Sequence, residues 1–314
     1  NIKYYKGLGT STGKEAKEYF RELNKTLIQY EDNNETTKCM ELAFNKKKSD
    51  ERKTWIKNYK SNMTDTLPNK QTYEIFINKD LIHFSVADVV RSIPNIMDGL
   101  KPSQRKVLYS TRRHATNKEY KVSQLSGIIS AETQFHHGEA SMMGTIIGMA
   151  QNYVGSNNMN LLEPNGQFGT RLMGGADSAS PRYIFTHLQK NVQRVIDSDD
   201  DDILNYLEDD GIKIEPDYFL PCLPLVLVNS INGIGTGFST KIPSYNPKDI
   251  INNINRLIQN EEFEQMTPWY KGFKGSILKI DEQKYVTKGI WKKLDEMTIE
   301  VTELPLNYWT NDFK

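Results

Sequence analysis

The spacing of apolar residues changes near residue 202, and this change constrains the fold more than any other feature of the chain. Between about residues 74 and 201 the apolar positions recur with helical spacing. After Asp202 the chain shows short β-prone runs at residues 223–228, 276–280 and 298–301, separated by glycine and proline. A helix-rich segment followed by a strand-containing one predicts an α+β chain, and 314 residues are enough for two or three domains.

Local signals locate several helices within this outline. Thr12 and Glu15 form a capping-box pattern that predicts a helix running to about residue 30. Pro102 is placed as the first residue of another helix. Residues 122–129 and 139–153 are predicted to be two helices separated by a short polar turn, which is compatible with a helix-turn-helix.

Charge is unevenly distributed along the chain. There are 40 Lys and Arg residues against 40 Asp and Glu, so the formal net charge of 0 gives no indication of a nucleic-acid partner. Residues 101–121 are nevertheless basic, whereas residues 197–202 and 208–210 are acidic. This pattern predicts a basic, DNA-facing side and a separate acidic side.

The cysteines and the hydropathy of the chain indicate in which cellular compartment the protein works. Cys39 and Cys222 are too far apart in sequence for a CxxC metal site, and two cysteines make no disulfide framework, which favours a reducing intracellular compartment. The sequence contains no run of about 18 apolar residues that could span a membrane. It also opens without a signal-peptide pattern and within a motif, so we expect it to be part of a longer protein.

Arg182 and Tyr183 are the strongest candidates for chemistry. They lie in the sequence SPRYIFT at residues 180–186. A free tyrosine hydroxyl has a pKa near ~10, so it attacks a phosphodiester poorly at neutral pH unless neighbouring charge stabilises the phenolate. A guanidinium supplies a permanent cation whose donors match phosphate oxygens. An Arg-Tyr dipeptide alone is usually an ordinary surface feature, so the surrounding motifs decide its meaning.

Other motifs accompany this pair in a fixed order. They are KYYKGLGT at 3–10, RSIP at 91–94, DGLKP at 98–102, QRK at 104–106, FHHGE at 135–139, PNGQFGTR at 164–171 and GIGTG at 233–237. In this order they resemble the DNA cleavage and rejoining region of the type IIA DNA topoisomerases, specifically the eukaryotic topoisomerase II branch. The resemblance covers nearly the whole chain.

The resemblance implies a multidomain α+β fold with four parts. Residues 1–20 would be the C-terminal end of a Toprim domain, and residues 21–75 a helical linker. Residues 76–205 would form a winged-helix DNA-cleavage domain. Residues 206–314 would begin an α/β tower domain.

The resemblance also implies roles for individual residues. Tyr183 would attack a DNA phosphorus and form a 5′-phosphotyrosyl link, with Arg182 stabilising charge on the phosphate. Either His136 or His137 would accept the tyrosine proton or donate to a phosphate oxygen, with the choice of base left open, and His137 would lie near the scissile phosphate. Ile234 would intercalate and bend the DNA. The implied DNA contacts are Arg52, Lys53, Arg91, Lys101, Arg105, Phe135, Ser141 and Trp309.

Each of these residues also has an ordinary structural interpretation. A histidine can be a packed core side chain, a basic residue can face solvent, and Ile234 can be buried in a glycine-rich bend. Arg52 and Lys53 belong to a charged helix predicted around residues 44–59, which would show the same residues if it were only amphipathic and exposed.

The same resemblance implies cofactors and partners. Mg²⁺ would be held by an acidic cluster of the Toprim domain upstream of Lys3, and ATP by a separate N-terminal domain. No metal ligands are predicted within the chain, because residues 199–202 lack the spacing of a calcium loop. The partners would be double-stranded DNA and a second copy of the chain, with no membrane, and the location would be the nucleus.

Two alternatives remain open. A tyrosine recombinase or type IB topoisomerase also uses a tyrosine nucleophile, but it needs dispersed Arg and His residues around a tyrosine near the chain end. The second alternative is a non-catalytic winged-helix DNA-binding module in which Tyr183 is merely packed.

Overall fold

The computed structural model describes residues 11–60, 69–282 and 284–314. The chain divides into two compact units, one of Asn1–Val89 with Gly235–Phe238 and the other of Val90–Ile234 with Ser239–Lys314. The boundaries predicted at residues 20, 75 and 205 stay predictions. The motif at residues 3–10 lies outside the described residues.

The first unit is mainly helical. Its helices are α1 (Gly13–Arg21), α2 (Leu23–Thr26), α3 (Thr36–Phe44), α4 (Ser49–Lys57), α5 (Tyr73–Ile75) and the start of α6 (Ile82–Ser92), with a 3-10 turn at Lys46–Lys48 and a π-helical segment at Phe76–Leu81. Strand β1 (Gln29–Glu31) pairs in parallel with β2 (Lys70–Thr72).

The capping box that begins α1 is confirmed, but the predicted length of the helix is wrong. The Glu15 backbone amide donates to Thr12 Oγ1 at 3.3 Å, and the Thr12 amide donates to Glu15 Oε2 at 2.7 Å. The helix ends at Arg21 because Glu22 leaves the helical conformation, with φ −106° and ψ 31°. Leu23–Thr26 then forms the separate short helix α2, and Gln29–Glu31 supplies β1, whose pairing satisfies its backbone groups.

The second unit begins with a three-helix core. It contains α7 (Pro102–His114), α8 (Val122–Glu132) and α9 (Glu139–Ala150), with β3 (Tyr120–Lys121) paired antiparallel to β4 (Phe185–Thr186). Pro102 is the first residue of α7, as predicted, and the predicted helix pair is confirmed as α8 and α9. Apolar side chains from the three helices are fully buried against one another, among them Leu108, Leu125, Ile129, Met142 and Ile146.

The rest of the unit alternates short strands and helices. In order these are α10 (Val192–Val195), β5 (Tyr206–Asp209), β6 (Ile212–Pro216), α11 (Leu225–Val228), β7 (Ile231–Gly235), β8 (Phe238–Ile242), α12 (Pro247–Ile258), β9 (Ser276–Asp281), β10 (Lys284–Lys288), β11 (Ile290–Lys293), β12 (Ile299–Glu303) and α13 (Thr310–Phe313). Each strand pairs with a sequence neighbour, in the pairs β5–β6, β7–β8, β9–β10 and β11–β12.

This mixture of helices and small sheets confirms the α+β prediction. The strands predicted at 276–280 and 298–301 are present as β9 and β12. The strand predicted at 223–228 is wrong, because Leu225–Val228 forms one helical turn. Pro224 precedes that turn and its carbonyl accepts from the Leu227 amide at 2.9 Å, which closes a turn instead of extending a strand. Among the helices of the described residues, none has the length and apolar character needed to cross a membrane.

Candidate functional site

Tyr183 lies on a turn that is fixed to the start of α8. The Ser123 amide donates to Pro181 O at 3.1 Å and the Val122 amide donates to Ile184 O at 3.0 Å, so two otherwise unpaired amides of the helix end hold the turn. Ile184 is 1% exposed, whereas Tyr183 beside it is 71% exposed. The backbone is therefore anchored in the core while the phenol faces solvent.

The strand after the turn is held on its other side. Phe185 and Asn165 exchange two backbone hydrogen bonds, at 3.0 and 3.1 Å. Gly166 has φ +116°, and a Cβ there would lie 2.9 Å from Ile184 Cγ2, so a glycine permits this close approach. The SPRYIFT and PNGQFGTR motifs thus build one scaffold around Tyr183.

Arg182 and Tyr183 are brought together as the sequence predicted. The Arg182 guanidinium carbon lies 5.6 Å from the centre of the Tyr183 ring, and both side chains are exposed. A guanidinium stays charged at any physiological pH, so the phenol has a permanent cation beside it.

The loop between α8 and α9 presents the two histidines differently. His136 Nε2 lies 2.7 Å from Asp209 Oδ2 of β5, and this pair is partly exposed. The ring of His137 meets the ring of Phe135 edge to face, with 5.2 Å between centroids. Phe135 is half-buried against the core, whereas His137 is exposed.

The histidine loop and the tyrosine turn lie at opposite ends of α8. Tyr183 is anchored at Val122 and Ser123, whereas the loop follows Glu132. Ten helical steps separate Val122 from Glu132, which is ~15 Å along the axis. A proton passes directly only between atoms within hydrogen-bonding distance. This geometry favours a phosphate contact over direct proton transfer for the histidines of the same chain.

Arg91, Lys101 and Ser141 are placed where a ligand could reach them. Arg91 is exposed near the end of α6, and Ser141 is exposed in the first turn of α9. Lys101 immediately precedes α7, where its amide donates to Gln104 Oε1 at 2.9 Å. Its side chain lines a cavity of about 240 Å³ with Asn232.

Ile234 is an exposed apolar side chain on β7. It is 77% exposed, and the alternative of a buried isoleucine is therefore wrong. Its neighbour Gly233 packs so tightly that a Cβ there would lie 2.5 Å from Ser92 O. The strand is therefore fixed at Gly233 while the next side chain projects outward, and Ile234 lies in a strand and not in a glycine-rich bend.

Arg105 is engaged inside the protein. Its Nε lies 2.7 Å and its Nη2 3.1 Å from the two carboxylate oxygens of Asp98, and Nη2 also donates to Leu100 O at 2.9 Å. Both charged side chains are buried. A DNA contact by Arg105 stays a prediction, but this guanidinium could reach a phosphate only by leaving a buried carboxylate unpaired.

Arg52 and Lys53, in the first unit, are also paired within the chain. The Arg52 guanidinium is buried and donates to Leu42 O at 2.7 Å and to Ala43 O at 3.0 Å, which caps the C-terminal end of α3. Lys53 Nζ lies 2.8 Å from Asp50 Oδ1 on the surface of α4. The hydrogen bond and charge of Lys53 lower the pKa of Asp50. Of the two, only Lys53 has a partly exposed charged group that could contact DNA.

Trp309 packs against glycines of the second unit. A Cβ on Gly174 would lie 2.3 Å from Trp309 Cε2, and a Cβ on Gly155 would lie 3.7 Å from the same ring. Tyr153 meets the indole edge to face at 5.9 Å, and burial raises the pKa of this tyrosine. The indole thus serves at least to hold the loops that carry these glycines.

The predicted separation of a basic and an acidic side is wrong. Arg112 Nη1 lies 2.8 Å from Asp201 Oδ1, and its Nη2 donates to Asp197 O at 3.2 Å. Asp209, in the second acidic run, is paired with His136. Acidic segments remote in sequence fold back onto the basic ones, because ion pairing offsets the cost of partly burying both charges.

Within the described residues, no group of three or more His, Cys, Asp or Glu side chains is arranged to hold a metal ion. The aspartates of residues 199–202 form a 3-10 turn and do not make up such a group.

Sequence reasoning missed the acidic partners of the candidate site. Asp98 precedes Arg105 by seven residues and opens the DGLKP motif, so their nearness in sequence could have suggested the pair. Asp209 follows His136 by 73 residues, and nothing in either segment points to the other.

Parts of the chain match two known protein families, and known proteins are similar to it in sequence. The family of DNA gyrase and topoisomerase IV matches residues 91–314, and the C-terminal associated domain of TOPRIM matches residues 1–89. DNA topoisomerase 2 of Arabidopsis thaliana is 51% identical over 321 residues, covering 100% of this chain and 22% of that protein. DNA topoisomerase 2-alpha of Mus musculus is 47% identical, covering 100% of this chain and 21% of that protein.

A solved structure is also similar. The crystal structure of the Plasmodium falciparum topoisomerase II DNA-binding, cleavage and re-ligation domain matches with a TM-score of 0.83 at 47% identity. The match covers 100% of this chain and 43% of that one. The chain spans about a fifth of the length of the curated relatives named above.

Proposed function

Because this chain belongs to the DNA gyrase/topoisomerase IV family, we propose that it is the DNA cleavage and rejoining part of a type II DNA topoisomerase. The resemblance inferred from the motifs is confirmed by eukaryotic relatives at 47–51% identity. The whole protein would be an ATP-dependent isomerase that changes DNA topology by passing one duplex through a transient break in another.

One observation carries this proposal: an exposed tyrosine stands on a rigid turn beside a permanent cation. Tyr183 is 71% exposed, its turn is bonded to α8, and Arg182 lies 5.6 Å from its ring. A packed structural tyrosine would be buried or would hydrogen-bond its hydroxyl within the core. Exposure of the phenol on an anchored backbone is what a nucleophile for a large substrate requires.

The reaction conserves atoms and bonds. The Tyr183 oxygen attacks a DNA phosphorus, an O–P bond to tyrosine forms, and the bond from phosphorus to the 3′ oxygen breaks. The phenol proton leaves to solvent or a nearby base, and the departing oxygen gains a proton to become a 3′-hydroxyl. The new phosphotyrosyl diester resembles the bond that it replaces, so the 3′-hydroxyl can reverse the attack without an energy source. Arg182 would stabilise negative charge on the transferring phosphate.

The proposed DNA surface combines exposed charge with one apolar wedge. In the second unit its exposed or partly exposed members are Arg91, Lys101, Phe135, His137 and Ser141, and Lys53 of the first unit is a separate candidate contact. His137 would contact a DNA phosphate and would not take the Tyr183 proton directly, because the two residues are attached at opposite ends of α8. Ile234 would insert between base steps and kink the duplex, which costs a few kcal/mol per step.

Arg105 and Trp309 support this surface from inside in our proposal. Arg105 neutralises Asp98, and Trp309 packs on the glycine loops. Arg52 has the same kind of supporting role within the first unit, where it caps α3. His136 is tied to Asp209 and would act through its neighbour.

The cofactors belong to the whole protein. From the family resemblance we propose that Mg²⁺ and ATP are bound by other parts of the protein, and no step above is assigned to either of them. One tyrosine cuts one strand, so a double-strand break would need a two-fold homodimer. The eukaryotic relatives support a nuclear location.

Covalent trapping tests the proposal. The full-length protein is incubated with Mg²⁺ and a duplex labelled at either the 3′ or the 5′ end, and is then denatured. Because the tyrosine would stay on the 5′-phosphate, the 3′ label should remain on the protein. Tyr183→Phe should abolish this adduct, and Tyr218→Phe, which removes another partly exposed phenol, should retain it.

Each other result has a defined meaning. Retention of the 5′ label would indicate a 3′ link, as in tyrosine recombinases. An absence of label from wild type and Tyr183→Phe alike would leave only the non-catalytic DNA-binding module.

A further inference from the structure

The histidine loop is held at several points along its short length. Lys106 Nζ donates to Thr133 O at 2.6 Å at the start of the loop and lies 2.8 Å from Glu215, which is buried on β6. Gln134 adopts φ +48°, an uncommon conformation for a residue other than glycine. The Phe135 amide donates to Ser130 O at 3.0 Å. Such a backbone persists only where its surroundings determine it.

Asp209 adds a side-chain restraint to this loop. It stands at the end of β5, and its Oδ2 lies 2.7 Å from His136 Nε2. The same β5–β6 hairpin supplies Glu215, whose pairing with Lys106 fixes the hairpin on α7. Asp209 is therefore presented from a rigid element, and a carboxylate can only accept, so it places the hydrogen of the His136 ring on Nε2.

The restraint on His136 reaches His137 through the backbone. Phe135 is packed on the core, His136 is pinned to Asp209, and His137 is exposed and leans on the Phe135 ring. With both preceding side chains fixed, the backbone that carries His137 is restrained, and the contact of its ring with Phe135 favours one orientation of the side chain. Prior ordering of a contact group removes an entropic cost when the ligand arrives.

From this arrangement we propose that Asp209 is a positioning residue for DNA cleavage, which holds His136, and through it His137, in the orientation that receives the DNA backbone. The inference rests on the proposed function, because the loop needs orienting only if it meets DNA. A carboxylate beside a polyanion repels it, so Asp209 should weaken simple DNA binding. Its presence is explained by orientation and not by attraction.

This contrast gives opposite predictions for affinity and rate. Asp209→Asn keeps the shape of the side chain but weakens its hold on the imidazole. We expect the rate of covalent-adduct formation to fall about 10-fold or more, since a misplacement of about 1 Å can cost ~100-fold. DNA affinity should stay the same or rise, because a negative charge has been removed.

The matched control is Asp210→Asn. Asp210 is the adjacent exposed residue, with φ +50°, a conformation that asparagine adopts as readily as aspartate. Asp210→Asn removes the same charge from the same hairpin but leaves the contact between Asp209 and His136 in place. It should therefore leave the cleavage rate at the wild-type level. A fall with both variants would show that charge alone matters and would overturn the proposal.

The experiment measures adduct formation with the 3′-labelled duplex and DNA affinity in the full-length protein, together with the thermal unfolding midpoint. Asp209→Asn is also made in a His136→Gln background, where positioning through His136 predicts no further loss. Additive losses, a wild-type rate for Asp209→Asn, or a rate loss matched by a lower unfolding midpoint would each refute the role of Asp209. If wild type forms no Tyr183-dependent adduct, it is the proposed function that fails.

Discussion

The buried pair of Arg105 and Asp98 gives the sharpest test of which cations serve the fold and which serve the ligand. The sequence placed Arg105 on DNA, whereas the structure surrounds it with protein acceptors. Arg105→Met removes three hydrogen bonds. Among the described residues, the Asp98 carboxylate, which is 0% exposed, then keeps the amides of Leu100 at 2.9 Å and Phe219 at 3.1 Å as its hydrogen-bond donors.

The size of the effect follows from that geometry. Removing one partner of a buried ion pair costs about 3–5 kcal/mol, because the other charge stays buried without compensation. Each 1.4 kcal/mol is tenfold, so the unfolding constant should rise about 10²- to 4 × 10³-fold. The double variant Asp98→Asn with Arg105→Met leaves no buried charge, so its loss should be smaller than the sum of the two single losses.

Equilibrium urea unfolding measures this, with tryptophan fluorescence and circular dichroism recorded together to establish a single transition. Lys190→Met serves as the control, because Lys190 is exposed and its replacement should change stability by no more than about 0.5 kcal/mol. Our reasoning would be refuted if Arg105→Met unfolded like wild type while reducing the salt dependence of DNA binding by about one unit, which is the signature of a lost phosphate contact.

Two further predictions concern the loops around the tyrosine scaffold. Gly174→Ala should lower the free energy of unfolding by about 1–3 kcal/mol and shift the tryptophan emission, because φ +59° disfavours alanine and the added Cβ would lie 2.3 Å from Trp309 Cε2. The control is Gly127→Ala, in open space on α8, which should be neutral or slightly stabilising in the same assay. Thr170 donates to Asp177 through Oγ1 at 2.5 Å and through its amide at 2.8 Å. These two hydrogen bonds lower the pKa of the Asp177 carboxyl. Because the pKa of Asp177 is lower in the folded state, the stabilisation is present above the unfolded pKa and is lost as pH falls through the folded pKa. The thermal unfolding midpoint of wild type should therefore exceed that of Asp177→Asn by a constant amount above about pH 4, and the difference should shrink below it. A difference that persists undiminished toward pH 2 would contradict this.

Features determined by neighbouring residues were predictable from the sequence. The capping box of Thr12 and Glu15 and the first position of Pro102 depend on groups within a few residues, and both are present. The α8–α9 pair followed from helical periodicity in the same way. The helical turn at Leu225–Val228 was missed because β-branched and apolar residues favour a strand locally, and the preceding proline outweighs that preference.

The roles of the arginines could not be deduced from residue type, and the structure shows what distinguishes them. Arg52 and Arg105 each follow a segment that supplies inward-facing oxygens, from Leu42 and Ala43 in one case and from Asp98 in the other, seven to ten residues earlier. Folding of the helix carrying the arginine onto that segment gives the guanidinium several acceptors within the chain. Arg182 instead sits on a turn whose Pro181 and Ile184 carbonyls accept from amides of α8, and its exposed guanidinium lies over the Tyr183 ring. Whether an arginine of this chain is left available to a ligand therefore depends on how its segment is anchored, which residue type alone does not reveal.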